Sequence, residues 1–154
     1  MDVARLGASR LVLRYVVTGT IADLAMPVPI APSRADDLWR HTCFEAFVCP
    51  APGEAYYEFN FAPSTQWAAY GFDGYRKGMR VAAEIGAPRF EVISTPERYT
   101  LQAVLELSAP AGARWRVGLT AVIEEGSGRL SYWALAHPPG KPDFHCADCF
   151  TCEI

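Results

Sequence analysis

Thr42-Cys43-Phe44-Glu45-Ala46-Phe47-Val48-Cys49 and Ala55-Tyr56-Tyr57-Glu58-Phe59-Asn60-Phe61 decide how this chain folds. Both segments are short, rich in aromatic and apolar residues, and separated by a Pro- and Gly-containing stretch, Pro50 to Glu54. They read as two strands of a β-hairpin. In the second strand Tyr57, Phe59 and Phe61 fall on one face, while Tyr56, Glu58 and Asn60 fall on the other, because strand side chains alternate. If residues 50–54 form the hairpin loop, Glu45 lies near Glu58 and Cys43 near Asn60.

The same alternation recurs on both sides. Residues 11–17, Leu-Val-Leu-Arg-Tyr-Val-Val, form the first clear strand. Residues 21–32 carry Pro27, Pro29 and Pro32 and suit a crossing loop or a frayed edge. Residues 36–40 suit one helical turn. Downstream, residues 89–94 and 99–107 pair across the tight turn Thr95-Pro96-Glu97-Arg98, which sets Phe90 and Val92 beside Ala103 and Leu101. A further hairpin joins residues 115–124 to residues 130–137 through Gly126-Ser127-Gly128, with Val117, Leu119, Ala121 and Ile123 facing inward. Residues 149–154 could close the sheet as a last strand. No segment keeps apolar residues at helical spacing for three turns, and the 12 prolines and 12 glycines cut the chain into short pieces. The expectation is an all-β protein, an antiparallel β-sandwich or jelly roll of about eight to ten strands. Without repeats, low-complexity tracts or linkers, residues 1–154 are expected to form one domain.

Bulk properties narrow the partners. The chain has 154 residues, 51% apolar and 20% charged, as a globular domain does. A formal charge of −3 and no run of Lys or Arg argue against nucleic acid, which demands a concentrated cationic surface. The opening Met1-Asp2-Val3-Ala4-Arg5 does not resemble a signal peptide, and no apolar stretch is long enough to span a bilayer. Five cysteines, an odd number, suit a reducing compartment better than a disulfide framework, so a cytoplasmic location is expected.

Four groups of residues could carry chemistry. Glu45 and Glu58, if opposite one another, repel. Such a pair needs an Arg or Lys, a cation, a shared proton or ligand hydroxyls; otherwise it lies on a solvated face, or the register is off by one. After the hairpin, Trp67, Tyr70, Phe72 and Tyr75 stand close to Arg76 and Lys77. Flat aromatics can stack on a sugar ring while carboxylates, amides and Arg take its hydroxyls, and the same aromatics could equally be core. Past Trp133 and His137 a proline-stiffened loop presents Lys141, Asp143 and His145, either to a ligand or to its own backbone. Finally, Cys146, Cys149 and Cys152 form C-x-x-C-x-x-C, but a closed metal site needs four ligands at compatible geometry, and packing is the better reading. No metal ligand is assigned. There is no nucleophile elbow, phosphate loop or helical His pair, so no catalytic residue is assigned either.

The order of Thr42-Cys43-Phe44-Glu45-Ala46-Phe47, Tyr56-Tyr57-Glu58-Phe59-Asn60-Phe61-Ala62-Pro63-Ser64 and Trp67-Ala68-Ala69-Tyr70 resembles the DOMON-like superfamily. Within it the chain is most similar to the bacterial branch related to family 9 carbohydrate-binding modules. Tyr132-Trp133-Ala134-Leu135 and Lys141-Pro142-Asp143-Phe144-His145 fit that branch as well. The resemblance implies a β-sandwich with a ligand site that holds sugars in one branch and haem in another. It implies that a sugar is gripped between aromatics, with Trp39, Trp67 and Trp133 as candidates, and that any calcium is structural. Haem would need Met79 with His137 or His145, and nothing in the spacing favours them. The expected function is a non-catalytic module for a small polar ligand, a carbohydrate or sugar derivative, with no cofactor. The expected site is Glu45, Glu58, Asn60, Trp67, Tyr70, Tyr75, Arg76, Trp133, His137, Lys141, Asp143 and His145. The alternatives are a haem or redox module and a small glycoside hydrolase using Glu45 and Glu58.

Overall fold

A computed structural model describes residues 1–108 and 112–154. Eleven strands lie within them: β1 (Asp2–Leu6), β2 (Arg10–Thr18), β3 (Cys43–Pro50), β4 (Tyr56–Phe61), β5 (Trp67–Phe72), β6 (Arg80–Val81), β7 (Arg89–Thr95), β8 (Arg98–Glu106), β9 (Trp115–Glu124), β10 (Leu130–Ala134) and β11 (Cys152–Glu153). They form two antiparallel sheets, one ordered β1-β2-β8-β7 and a larger one ordered β10-β9-β3-β4-β5-β6. β11 joins the larger sheet by pairing with the N-terminal end of β9, at Val117 and Arg116, beyond the reach of β10. The all-β antiparallel sandwich expected from the sequence is thus the fold.

The core follows from period-two alternation. Leu11, Leu13 and Tyr15 of β2 and Leu101, Ala103 and Leu105 of β8 face Phe44, Ala46 and Val48 of β3, Phe59 and Phe61 of β4, and Val117, Leu119 and Ala121 of β9. Removing that apolar surface from water is the main force holding one sheet on the other.

The larger sheet is unusual in being buried on its other face too. Phe47, Cys49, Tyr56, Ala68, Tyr70 and Phe72 form a second apolar cluster there, with Cys149 and Phe150 and the partly buried Leu38, Phe144 and Cys146. The cover comes from the segment between β10 and β11 and from a short 3-10 turn, Leu38–Arg40. Gly118 of β9 makes this possible: a Cβ there would lie 2.9 Å from the Phe150 ring and 3.1 Å from the Cys149 carbonyl. Burial on both faces explains why β3, β4 and β5 read as nearly continuous apolar and aromatic runs.

The β7–β8 register pairs Phe90 with Ala103 and Val92 with Leu101, as the sequence suggests. The β3–β4 register differs by two residues from the expected one. Asn60, not Glu58, is opposite Glu45, and Glu58 is opposite Phe47. The pairing of β3 with β9 carries it through to Pro50, so the last β3–β4 pair is Val48 with Tyr57 and the loop is wider than residues 50–54. A shift of two keeps every side chain on its face, which is why alternation alone does not detect it. Two further expectations are corrected. The strand expected to run to His137 ends at Ala134, and that expected over residues 149–154 is only Cys152–Glu153, preceded by a 3-10 turn at Ala147–Cys149. β1, β5 and β6 were not distinguished as strands in the sequence. Among the described residues no helix is long and apolar enough to cross a membrane.

Candidate functional site

On the covered face of the larger sheet the two covering segments leave a cavity of about 800 Å³. Its floor is made by strands β3, β4 and β9. Glu45, Glu58, Asn60 and Thr120 point to this face and are buried, the two glutamates only 4% and 7% exposed. The Thr120 hydroxyl donates to Glu45 Oε2 at 3.0 Å, and the Asn60 amide donates to Glu58 Oε1 at 2.7 Å. Glu45 and Glu58 are therefore diagonal neighbours on one sheet face, still close enough to interact.

His145 hangs over this floor from the covering segment. Its ring packs edge-on against Phe47, Tyr56 and Phe72. The Tyr56 hydroxyl accepts the Arg76 backbone N–H at 3.3 Å and lies 2.8 Å from His145 Nδ1. With the hydroxyl donating to Nδ1, the ring proton is on Nε2, which lies 3.6 Å from Glu58 Oε2. Asp143 ties the assembly together. It accepts from Arg76 at 2.9 Å, from the Tyr75 hydroxyl and from the backbone N–H of His145 at 3.2 Å.

Burial dominates the electrostatics. It pushes the Glu45 carboxyl up to about 8, with the Glu58 charge acting in the same direction and the Thr120 hydrogen bond opposing. Burial also raises Glu58, against the Asn60 hydrogen bond and the Arg76 charge. His145 is pushed down to about 4, first by burial and then by Arg76, with Asp143 opposing. The His145–Glu58 contact is therefore not an ion pair at neutral pH, although its geometry resembles one.

The walls are aromatic and apolar: Trp39, Phe47, Tyr70, Phe72, Tyr132, Phe144, Met79, Val81, Val122 and Pro142. Trp39 and Tyr132 are half exposed and stand at the rim. Asp36 and Asp37 add two carboxylates, and Asp36 accepts from the Tyr70 hydroxyl at 2.6 Å. Asp37 and Arg76, both lining the cavity, have left-handed backbone with φ of 59° and 51°. Such strain in non-glycine residues persists only where surrounding contacts enforce it.

Of the residues expected at a site, Glu45, Glu58, Tyr70, Arg76 and His145 line this cavity, Asn60 supports Glu58, and Asp143 and Tyr75 fix Arg76. Trp67 does not join them. It is buried between the sheets, with the Arg34 guanidinium 4.1 Å over its ring. Trp133 is exposed on β10 and lines a separate opening of about 570 Å³ with Tyr15 and Phe44. His137 stands beside the Phe144 ring, and Lys141 is exposed on the loop. Met79 and His145 do border one cavity, but both ring nitrogens of His145 are turned to Tyr56 and Glu58. Asp36, Asp37, Thr120, Tyr56 and Tyr132 were not foreseen. Tyr56 shares the strand parity of Glu58, and that was the signal available for it; Thr120 lies 75 residues from Glu45 and only β3–β9 pairing joins them. Among the described residues no group of three His, Cys, Asp or Glu side chains could hold a metal ion.

No family model and no curated protein matches the sequence. The structure is similar to a crystal structure described as that of "a putative carbohydrate-binding protein" from Bacteroides uniformis, with a TM-score of 0.60 over 97% of this chain and 74% of that one. At 15% identity the likeness shows a shared fold.

Proposed function

We propose that this chain is a non-catalytic binding module whose cavity takes a small carbohydrate or a sugar-derived ligand. The observation that carries the reading is the cavity itself: a buried polar floor of Glu45 and Glu58, with Thr120 supporting Glu45, beneath a rim holding Trp39 and Tyr132. Sugar rings have an apolar face that stacks on an aromatic ring and an edge of hydroxyls that suits buried acceptors and donors. Trp39 is the aromatic we assign to the ring. The fold neighbour is described as carbohydrate-binding, which supports the same reading, as does the sequence resemblance to the branch of the DOMON-like superfamily related to family 9 carbohydrate-binding modules. We assign the chain to that branch on these grounds. Its five free cysteines suit a reducing compartment, and we place it in the cytoplasm.

Haem fits these residues poorly, because His145 Nδ1 is held by the Tyr56 hydroxyl, Nε2 is turned toward Glu58, and two carboxyl groups form the floor. Hydrolysis of a glycoside by two carboxylates needs them on either side of the scissile bond. Here both rise from one sheet face.

Isothermal calorimetry across simple sugars, with a glycan array for longer ligands, tests the proposal. Binding of at least one sugar is expected, and Trp39→Ala should weaken it roughly tenfold while leaving the β-sheet circular dichroism unchanged. A folded protein that binds no sugar in either assay overturns the reading.

A further inference from the structure

We infer that the ligand is cationic: a sugar bearing a free ammonium group, seated with that group against Glu45 and Glu58. The inference rests on the sugar-binding reading and specifies what the site selects. It starts from two buried carboxyl groups that lack a positive partner. Among the described residues no Lys or Arg lies within ion-pair distance of Glu45 or Glu58, and the nearby Arg76 is bound to Asp143 at 2.9 Å.

Both glutamates line the cavity, and each has one oxygen without a protein hydrogen bond. Glu45, 4% exposed, accepts from Thr120 through Oε2, and Oε1 has no protein donor. Glu58 accepts from Asn60 through Oε1, while Oε2 has only the His145 nitrogen at 3.6 Å, too far for a good hydrogen bond. Two oxygens in a low-dielectric floor thus lack a protein partner, and Glu45, which keeps its proton while the cavity holds no cation, would give that proton up to an ammonium seated there. Carboxylates stay charged in such a place only when paired.

A neutral hydroxyl supplies one donor and no charge. An ammonium supplies three donors and the missing charge, and charge-assisted hydrogen bonds are about twice as strong as neutral ones. The walls favour the same choice. Asp36 adds a further carboxylate, Asp37 being paired with Arg40 at 3.3 Å, and Tyr70 and Tyr132 line the same cavity with aromatic rings of the kind that attract a cation. A bare divalent ion is a poorer occupant, because it needs several oxygen ligands converging on a point, and about 800 Å³ of aromatic-walled space far exceeds its size.

Calorimetry at pH 6.5 with glucosamine, glucose and N-acetylglucosamine separates the ideas, since the three share a ring and differ at one substituent. Glucosamine should bind roughly tenfold or more tighter than the other two, as befits charge-assisted bonds to buried groups. Its affinity should fall on adding sodium chloride. In the Glu45→Gln/Glu58→Gln variant, checked for folding by circular dichroism, the preference should vanish. Equal binding of glucose or N-acetylglucosamine by the wild-type protein overturns the ammonium inference and leaves sugar binding standing. Binding of none of the three, with none on the glycan array, removes both. A glucosamine preference that survives in the double variant also overturns the inference, because the charge would then be read elsewhere. Should the double variant not fold, the wild-type comparison and its salt dependence decide.

Discussion

Glu45 keeps its proton well past the pH at which an exposed glutamate loses it, and stability should register this. A glutamate ordinarily ionises near 4.5, whereas Glu45 does so at about 8. Between those values the folded state binds the extra proton, so stability falls as pH rises. His145 acts in the opposite direction. It titrates at about 4 in the fold against an ordinary 6.5, so in that interval the unfolded chain takes the proton and stability rises with pH. From about 4.5 to 6.5 the His145 contribution opposes that of Glu45, to which the raised Glu58 adds in the same direction; above 6.5 the opposing His145 contribution is gone. The ligand-free protein should therefore lose several degrees of thermal midpoint between about pH 6.5 and 8, and Glu45→Gln should lose much less. Parallel melting curves for the two proteins across that window would exclude the account. At Tyr56 the expectation concerns a hydroxyl. Tyr56→Phe leaves His145 Nδ1 and the Arg76 N–H without their partner and should cost about 1–3 kcal/mol in denaturant unfolding. The residue types of Glu45, Glu58 and His145 marked them in the sequence as candidates. The opposed directions in which burial moves them did not show there, since burial is supplied by residues from three separate parts of the chain.

The segment between β10 and β11 is the element most open to test. It lies on the sheet only because Gly118 has no side chain where Phe150 and the Cys149 carbonyl approach. Gly118→Val should displace this cover while β9 keeps its pairs with β3 and β10, since valine suits a strand. Amide exchange should then quicken across residues 144–150 and remain slow in β3 and β9, and ligand binding should weaken with it. Uniformly faster exchange throughout both sheets would show that the cover and the sandwich are one cooperative unit instead. Elements differed in how legible they were. The β7–β8 hairpin has one buried and one wet face, so alternation and a tight turn set its register together. β5 is buried along its whole length, Trp67 to Phe72, and carries no alternation to read. The β3–β4 register was missed by two residues because either pairing keeps Glu45, Glu58 and Asn60 on the same face, and only the competing partner β9 chooses between them.

At the scale of the whole molecule, the sandwich accounts for the core, and the second buried face of the larger sheet accounts for the cavity. That face is why aromatic residues exceed what one core could take: Phe44, Phe59 and Phe61 turn inward, while Phe47, Tyr56, Tyr70 and Phe72 turn outward beneath the cover. The sequence by itself determined the class of fold and the face on which each hairpin residue lies, since both follow from a local period of two and from turn residues. Glu45, Glu58 and Asn60 could thus be grouped before any tertiary contact was known. Only the tertiary structure decided that their face is neither solvated nor sealed, but roofed by residues about 90 positions further along the chain, such as His145, which is 89 from its partner Tyr56. It also decided that Trp39 belongs to the cavity and Trp67 to the core. The reason is physical: strand periodicity is a property of neighbouring residues, whereas a cavity exists where distant segments fail to fill the space between them.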